Sequence, residues 1–72
     1  MNTTVVAVKS ITYALKARKL LRQGGFGANI VKLDSSKTEE GCTHGIEIHS
    51  QNLYNVVAIL RENGIEYNVL KQ

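Results

Sequence analysis

Cys42 is the only cysteine in this 72-residue sequence and its one evident nucleophile. Glycines lie near it at Gly41 and Gly45, which predicts an open loop with an accessible thiol. The thiolate is the reactive form of a cysteine, and neighbouring cations favour it. His44 and Lys9 are therefore the candidate stabilisers of a Cys42 thiolate.

Other residues around Cys42 leave its role open. Glu39 and Glu40 precede it, and nearby negative charge disfavours a thiolate, whereas Lys37 adds a further cation to the same segment. A lone cysteine can also act as a small apolar residue that packs at the start of a strand. A reactive thiol and a packed thiol are both compatible with these residues.

Metal binding has less support in the sequence. Cys42, His44 and His49 could supply ligands, but a structural zinc site needs four, and the sequence has no Cys-x-x-Cys pair. His49 follows Ile48 in an alternating pattern, which predicts a solvent-facing strand residue. We therefore predict no metal site and no cofactor.

Length and composition predict one domain over residues 1–72 with a thin core, because the chain is short, is 43% hydrophobic and contains no proline or tryptophan. A deep pocket of ~300 Å³ would take a large share of that core, which favours a carrier or binding protein over an enzyme with its own turnover. A lone cysteine is typical of a reducing compartment. The apolar run at 5–8 is too short for a signal peptide or a membrane span, so we expect a cytoplasmic protein without membrane association.

Hydrophobic periodicity predicts two β-α-β units. Ser10 and Ser50 are the expected N-caps of the two helices, and glycines at 24–25 and 64 end them. The segment 34–41 is polar, lacks apolar periodicity and is predicted to be a long loop. The expected strands are Thr3–Val8, 28–33, 46–49 and 66–70, and the expected helices are Ile11–Gln23 and 51–63.

The two units are related in sequence. Residues 21–31 align with residues 60–70 at an offset of 39 positions, with Leu, Arg, Gly and Asn in register. Two interleaved β-α-β halves predict an α+β fold of the ferredoxin-like kind, with both helices on one face of a four-stranded antiparallel sheet. Right-handed crossovers predict the spatial order four-one-three-two. This order would bring Cys42 to the end of the sheet where the first helix begins, close to its N–H groups.

Four basic residues cluster on the outer face of the predicted first helix: Lys16, Arg18, Lys19 and Arg22. Such a face is usually only solvated. Leu15 lies among these charges, and a protein partner or a second subunit would explain it. RNA-binding domains of this topology stack bases on sheet aromatics, and the first and third strands contain none, so we predict no nucleic-acid binding.

Three segments resemble a family of small bacterial domains described as selenium/sulfur (Se/S) carrier-like proteins. These are residues 10–21, the step Gly41-Cys42 before Gly45-Ile46, and residues 60–67. The resemblance covers nearly the whole chain and implies the same fold. It also implies a carrier cysteine beside a glycine just before the third strand, which corresponds to Cys42. Many members have glycine directly after the cysteine, whereas Thr43 and His44 intervene here.

Two functions follow as hypotheses. The resemblance implies a carrier in which Cys42 accepts sulfur or selenium as a persulfide-like adduct, with donor and acceptor enzymes as its protein partners. The alternative is a non-catalytic regulatory or interaction module, in which two such domains pair as a homodimer and Cys42 only packs.

Overall fold

A computed structural model of the chain describes residues 2–34 and 42–70. The predicted order of strands and helices is confirmed in these residues, and their bounds differ from the predicted ones by a few residues at most. Most of the predicted loop, including Lys37, Glu39, Glu40 and Gly41, lies outside the described residues. The elements are β1 (Thr3–Val8), α1 (Ile11–Gln23), β2 (Asn29–Lys32), β3 (His44–His49), α2 (Leu53–Glu62) and β4 (Asn68–Leu70).

The four strands form one antiparallel sheet in the order β2-β3-β1-β4. Read from the other edge, this is the four-one-three-two order that right-handed crossovers predict. β1 and β3 are the central strands, and they pair from Thr3 with His49 to Val8 with His44. The predicted α+β fold with an antiparallel sheet is therefore confirmed.

The core lies between the sheet and both helices. Alternate residues of β1 and β3 point to the same face of the sheet, because successive strand side chains alternate. Buried residues of α1 and α2 pack into one cluster with this face, so the two helices share it. The cluster includes Val6, Val8, Ala14, Ala17, Leu21, Ile46, Ile48, Val56 and Leu60.

Helical periodicity misplaces two residues that lie on the rim of the apolar faces. Tyr13, which the pattern assigns to the inner face of α1, is 43% exposed. Val57 is only half-buried and does not pack against the core cluster, although its spacing from Val56 and Leu60 predicts a core position. Leu20 is half-buried but does contact the cluster. A helix buries the centre of its apolar arc, and the neighbouring elements decide how much of the rim is covered.

The sequence repeat is also a repeat in structure. Gly25 and Gly64 lie 39 positions apart, and both have positive φ angles, of 87° and 68°. This left-handed conformation suits glycine and ends each helix with a Schellman motif, in which a later N–H bonds a carbonyl of the last turn. Equivalent bonds run from the N–H of Phe26 to the carbonyl of Leu21 (2.9 Å) and from the N–H of Ile65 to the carbonyl of Leu60 (2.9 Å).

The two helices begin differently. Ser10 caps α1 as predicted, since its hydroxyl accepts a hydrogen bond from the N–H of Tyr13 at 3.3 Å. The prediction that Ser50 caps α2 is wrong, because Ser50 opens a 3-10 turn at Ser50–Asn52 that precedes the helix. Its hydroxyl lies 2.6 Å from that of Thr4 in β1. The hydroxyl of Ser50 therefore makes a tertiary hydrogen bond and does not cap α2.

Candidate functional site

Cys42 lies two residues before β3, at the end of the sheet where α1 begins. Val8, the last residue of β1, pairs with His44, the first residue of β3. The β2–β3 ladder continues beyond this pair, because the N–H of Leu33 donates to the carbonyl of Thr43 at 2.8 Å. Cys42 and the start of α1 are therefore at the same end of the sheet, as the strand order predicts.

The side chain of Cys42 is buried, with 2% of its surface exposed. The prediction of an accessible thiol is therefore wrong for this conformation. Nearby glycines predicted an open backbone, but the residue after Cys42, Thr43, is already hydrogen-bonded to Leu33 beside β2. Cys42 does not belong to the cluster of buried residues between the helices and the sheet. Its burial is thus local to this end of the sheet.

His44, the first candidate stabiliser, is half-buried at the start of β3. Its Nδ1 lies 2.9 Å from the hydroxyl of Thr43. Thr43 and His44 are the two residues between Cys42 and Gly45. Their contact orients the imidazole ring two positions from Cys42.

Lys9, the second candidate, follows the end of β1 and forms an ion pair with Glu66. Its Nζ lies 2.7 Å from Oε2 of Glu66, and both side chains are more than half exposed. The hydrogen bond from Lys9, and then its charge, lower the pKa of Glu66. Glu66 precedes β4, so this pair lies on the side of β1 away from β3. The ammonium of Lys9 is thus paired with a carboxylate beside β4, and its role at Cys42 stays a prediction.

Gly45 is a supporting residue whose role sequence reasoning missed. It is buried in β3, three positions after Cys42. A Cβ atom added there would lie 2.7 Å from Cγ1 of Val5 and 3.3 Å from Cδ1 of Leu33. The lack of a side chain at Gly45 thus leaves room for the side chains of Val5 and Leu33 beside the site. This requirement for glycine becomes evident only when β3 is paired with β1 and β2.

The histidines are too far apart to share a metal ion with Cys42. His44 and His49 lie at opposite ends of β3, about 16 Å apart at 3.3 Å per residue. His49 is exposed, as its alternating pattern predicts. In residues 2–34 and 42–70 no three His, Cys, Asp or Glu side chains are grouped to hold a metal ion. Over the same residues, no helix has the length and apolar character needed to cross a membrane.

One residue of the basic face of α1, Arg22, has a structural role. The guanidinium of Arg22 donates two hydrogen bonds to the carbonyl of Ala28, at 3.1 and 3.3 Å, and so ties the end of α1 to the start of β2. Leu15, which lies among the remaining basic residues of this face, is 46% exposed, as the helical pattern predicts. The sequence did not distinguish Arg22 from its basic neighbours, because its acceptor is a backbone carbonyl.

Comparison with known families gives one match. A family model described as "Putative Se/S carrier protein-like" matches residues 3–70. The match spans Cys42 and all the strands and helices described above. No curated protein and no solved structure matches the chain significantly.

Proposed function

Because the chain belongs to the family described as "Putative Se/S carrier protein-like", we propose that it carries sulfur or selenium on Cys42. The observation that carries this proposal is the family match over residues 3–70 of a chain with a single cysteine. Carriage of a sulfur or selenium atom as a covalent adduct needs a thiol, and Cys42 is the only one in the sequence. A cytoplasmic location suits such a thiol, since it must stay reduced between transfers.

The proposed reaction is a transfer of sulfane sulfur between thiols. The Cys42 thiolate attacks the outer sulfur of a persulfide on a donor enzyme, and a new S–S bond forms at Cys42. The S–S bond of the donor breaks, and its electron pair leaves on the donor thiolate. An acceptor thiolate then attacks the outer sulfur on Cys42 and releases the Cys42 thiolate. A selenium atom would take the place of the outer sulfur in the same sequence.

The burial of Cys42 sets a condition on this reaction. A thiol that is 2% exposed must become accessible before it can attack a donor. Cys42 lies outside the main core cluster, so we expect a local opening to expose it without separation of the helices from the sheet. Openings of this kind cost less free energy than global unfolding. A donor or acceptor that binds the opened form would favour it further.

The carrier proposal is tested by loading the native protein. Incubation with a cysteine desulfurase and cysteine should add the mass of one sulfur atom to the wild type and nothing to Cys42→Ser. A thiol reductant should then remove the added sulfur. Absence of a persulfide on folded wild-type protein, while a known acceptor in the same mixture is loaded, would refute the carrier function.

A second candidate function is favoured by the burial itself. In a protein-interaction or regulatory module, Cys42 would serve only as a small packed residue, as its exposure of 2% suggests. The urea dependence of alkylation separates the two functions. A carrier thiol should react through a local opening with little dependence on urea, whereas a purely packed thiol should react with the full dependence of global unfolding.

A further inference from the structure

α2 has a second stripe of residues besides the one that enters the core. This outer stripe consists of Tyr54, Val57, Ala58 and Arg61, at positions i, i+3, i+4 and i+7 of the helix. Residues at this spacing lie on one side of a helix. Tyr54 is 85% exposed, more than any other large hydrophobic side chain in the described part of the chain.

The outer stripe is distinct from the core face of α2. Val56 and Leu60 are fully buried in the core cluster, whereas Val57 is half-buried and does not pack against that cluster. Val57 instead lines a surface depression together with the other members of the outer stripe and Leu53. The depression is therefore mostly apolar, with one cation from Arg61 at its end.

We propose that a second copy of this chain packs on the outer stripe, with the two α2 helices antiparallel about a two-fold axis between Val57 and Ala58. This arrangement sets Tyr54 of each copy opposite Arg61 of the other. A guanidinium over the face of a tyrosine ring forms a favourable cation–π contact. The small Ala58 lies opposite Val57 of the second copy and lets the two helices approach closely.

The stripe favours a second copy over an unrelated partner because it is its own complement. A two-fold interface brings the same patch of both copies together, so every contact occurs twice. The aromatic group and the cation stand at equal distances on either side of the axis, as such pairing requires. Four residues per copy bury much less than the ~800 Å² per partner of a standard interface, so the dimer is weak. It requires no chemistry at Cys42, and its test is therefore separate from that of the carrier function.

Sedimentation velocity of the full chain measures this association, over about 10 μM to 1 mM, the range expected for a small interface. The wild type should shift reversibly from monomer to dimer as the concentration rises. Tyr54→Ala should raise the dimer Kd roughly 5- to 30-fold, which corresponds to two cation–π contacts of about 0.5–1 kcal/mol each. Cys42→Ser should dimerise like the wild type.

A charge exchange tests the antiparallel register. Tyr54→Arg places like charges opposite each other and should abolish the dimer, and adding Arg61→Glu in the same chain should restore it. The two positions are seven residues apart, about 10 Å along the helix, which is too far for a direct ion pair within one copy. Asn55→Arg is the matched control, because Asn55 is exposed on α2 outside the stripe and its change should leave the Kd unaltered.

Three results would overturn the proposal. One is a wild-type chain that stays monomeric across the whole concentration range. Another is a dimer whose Kd is unaffected by Tyr54→Ala, since a different surface would then form it. The third is failure of the double variant to regain the dimer while its thermal unfolding matches that of the wild type. Tyr54 is exposed, so these variants should fold normally and leave the association readout interpretable.

Discussion

Gly45→Ala is a sharp test of how the sheet is packed beside Cys42. The new methyl group would lie 2.7 Å from Cγ1 of Val5 and 3.3 Å from the carbonyl oxygen of Val6. A contact of 2.7 Å between carbon atoms is well inside the favourable separation of about 3.5–4.0 Å, so the Val5 side chain or the backbone of β1 or β3 must shift. Overpacking of this kind costs about 1–3 kcal/mol.

An opposing effect reduces the net cost of Gly45→Ala. Alanine has less conformational freedom than glycine in the unfolded chain, which stabilises the folded state by about 0.4–1 kcal/mol where the backbone conformation permits alanine. Gly45 has no positive φ angle, so this gain applies. We therefore expect a net loss of roughly 0.5–2 kcal/mol in the free energy of unfolding. Urea denaturation followed by circular dichroism measures it.

Gly27→Ala is the matched control for the steric argument. Apart from its two chain neighbours, no atom of the described residues lies within 4 Å of a Cβ at Gly27, and its φ angle is not positive, so this change should be neutral or slightly stabilising. Val5→Ala removes the group that the new methyl would meet. A double-mutant cycle should then show that Gly45→Ala costs less in the Val5→Ala background. Equal costs in both backgrounds would refute the contact, as would equal effects of Gly45→Ala and Gly27→Ala.

Two further predictions concern the core and the ion pair. Leu60→Ala should lower the free energy of unfolding by about 2–5 kcal/mol, because Leu60 is fully buried between α2 and the sheet, and a loss below about 0.5 kcal/mol in urea denaturation would contradict that packing. Glu66 has a lowered pKa in the folded state, so its pairing with Lys9 should stabilise the protein above the ordinary carboxyl pKa of 4.5, and this contribution should be lost as the pH falls through the folded value. Glu66→Gln should flatten this part of the stability profile, and an NMR titration in which the Glu66 carboxyl has an ordinary or raised pKa would contradict it.

The site shows how local and tertiary effects combine at Cys42. Its location at the end of the sheet where α1 begins follows from the order of the strands, which the sequence predicts. Its burial, with 2% of the side chain exposed, does not follow from the residues next to it in the sequence. A glycine-rich neighbourhood is therefore not sufficient evidence for an exposed thiol. The proposed carrier function requires that Cys42 become exposed more easily than the core residues.

Features that depend on neighbours along the chain were determined by the sequence. Ser10 bonds an N–H three residues away, and the turns at Gly25 and Gly64 close on carbonyls three and five residues earlier. The alternation of apolar residues in strands and their helical spacing are equally local, since they reflect backbone geometry. For this reason the order of strands and helices and the internal repeat could be predicted. The handedness of the crossovers then predicted the strand order.

Features that depend on contacts between distant residues were decided only by the tertiary structure. Ser50 bonds Thr4, 46 positions away, and so does not cap α2. Lys9 pairs with Glu66, and Gly45 leaves room for Val5 and Leu33, because β1 and β3 bring together segments that are far apart in sequence. The same holds for the burial of Cys42. Side-chain type and spacing set what a residue can do, but its solvent exposure and partners depend on which elements the completed fold places beside it.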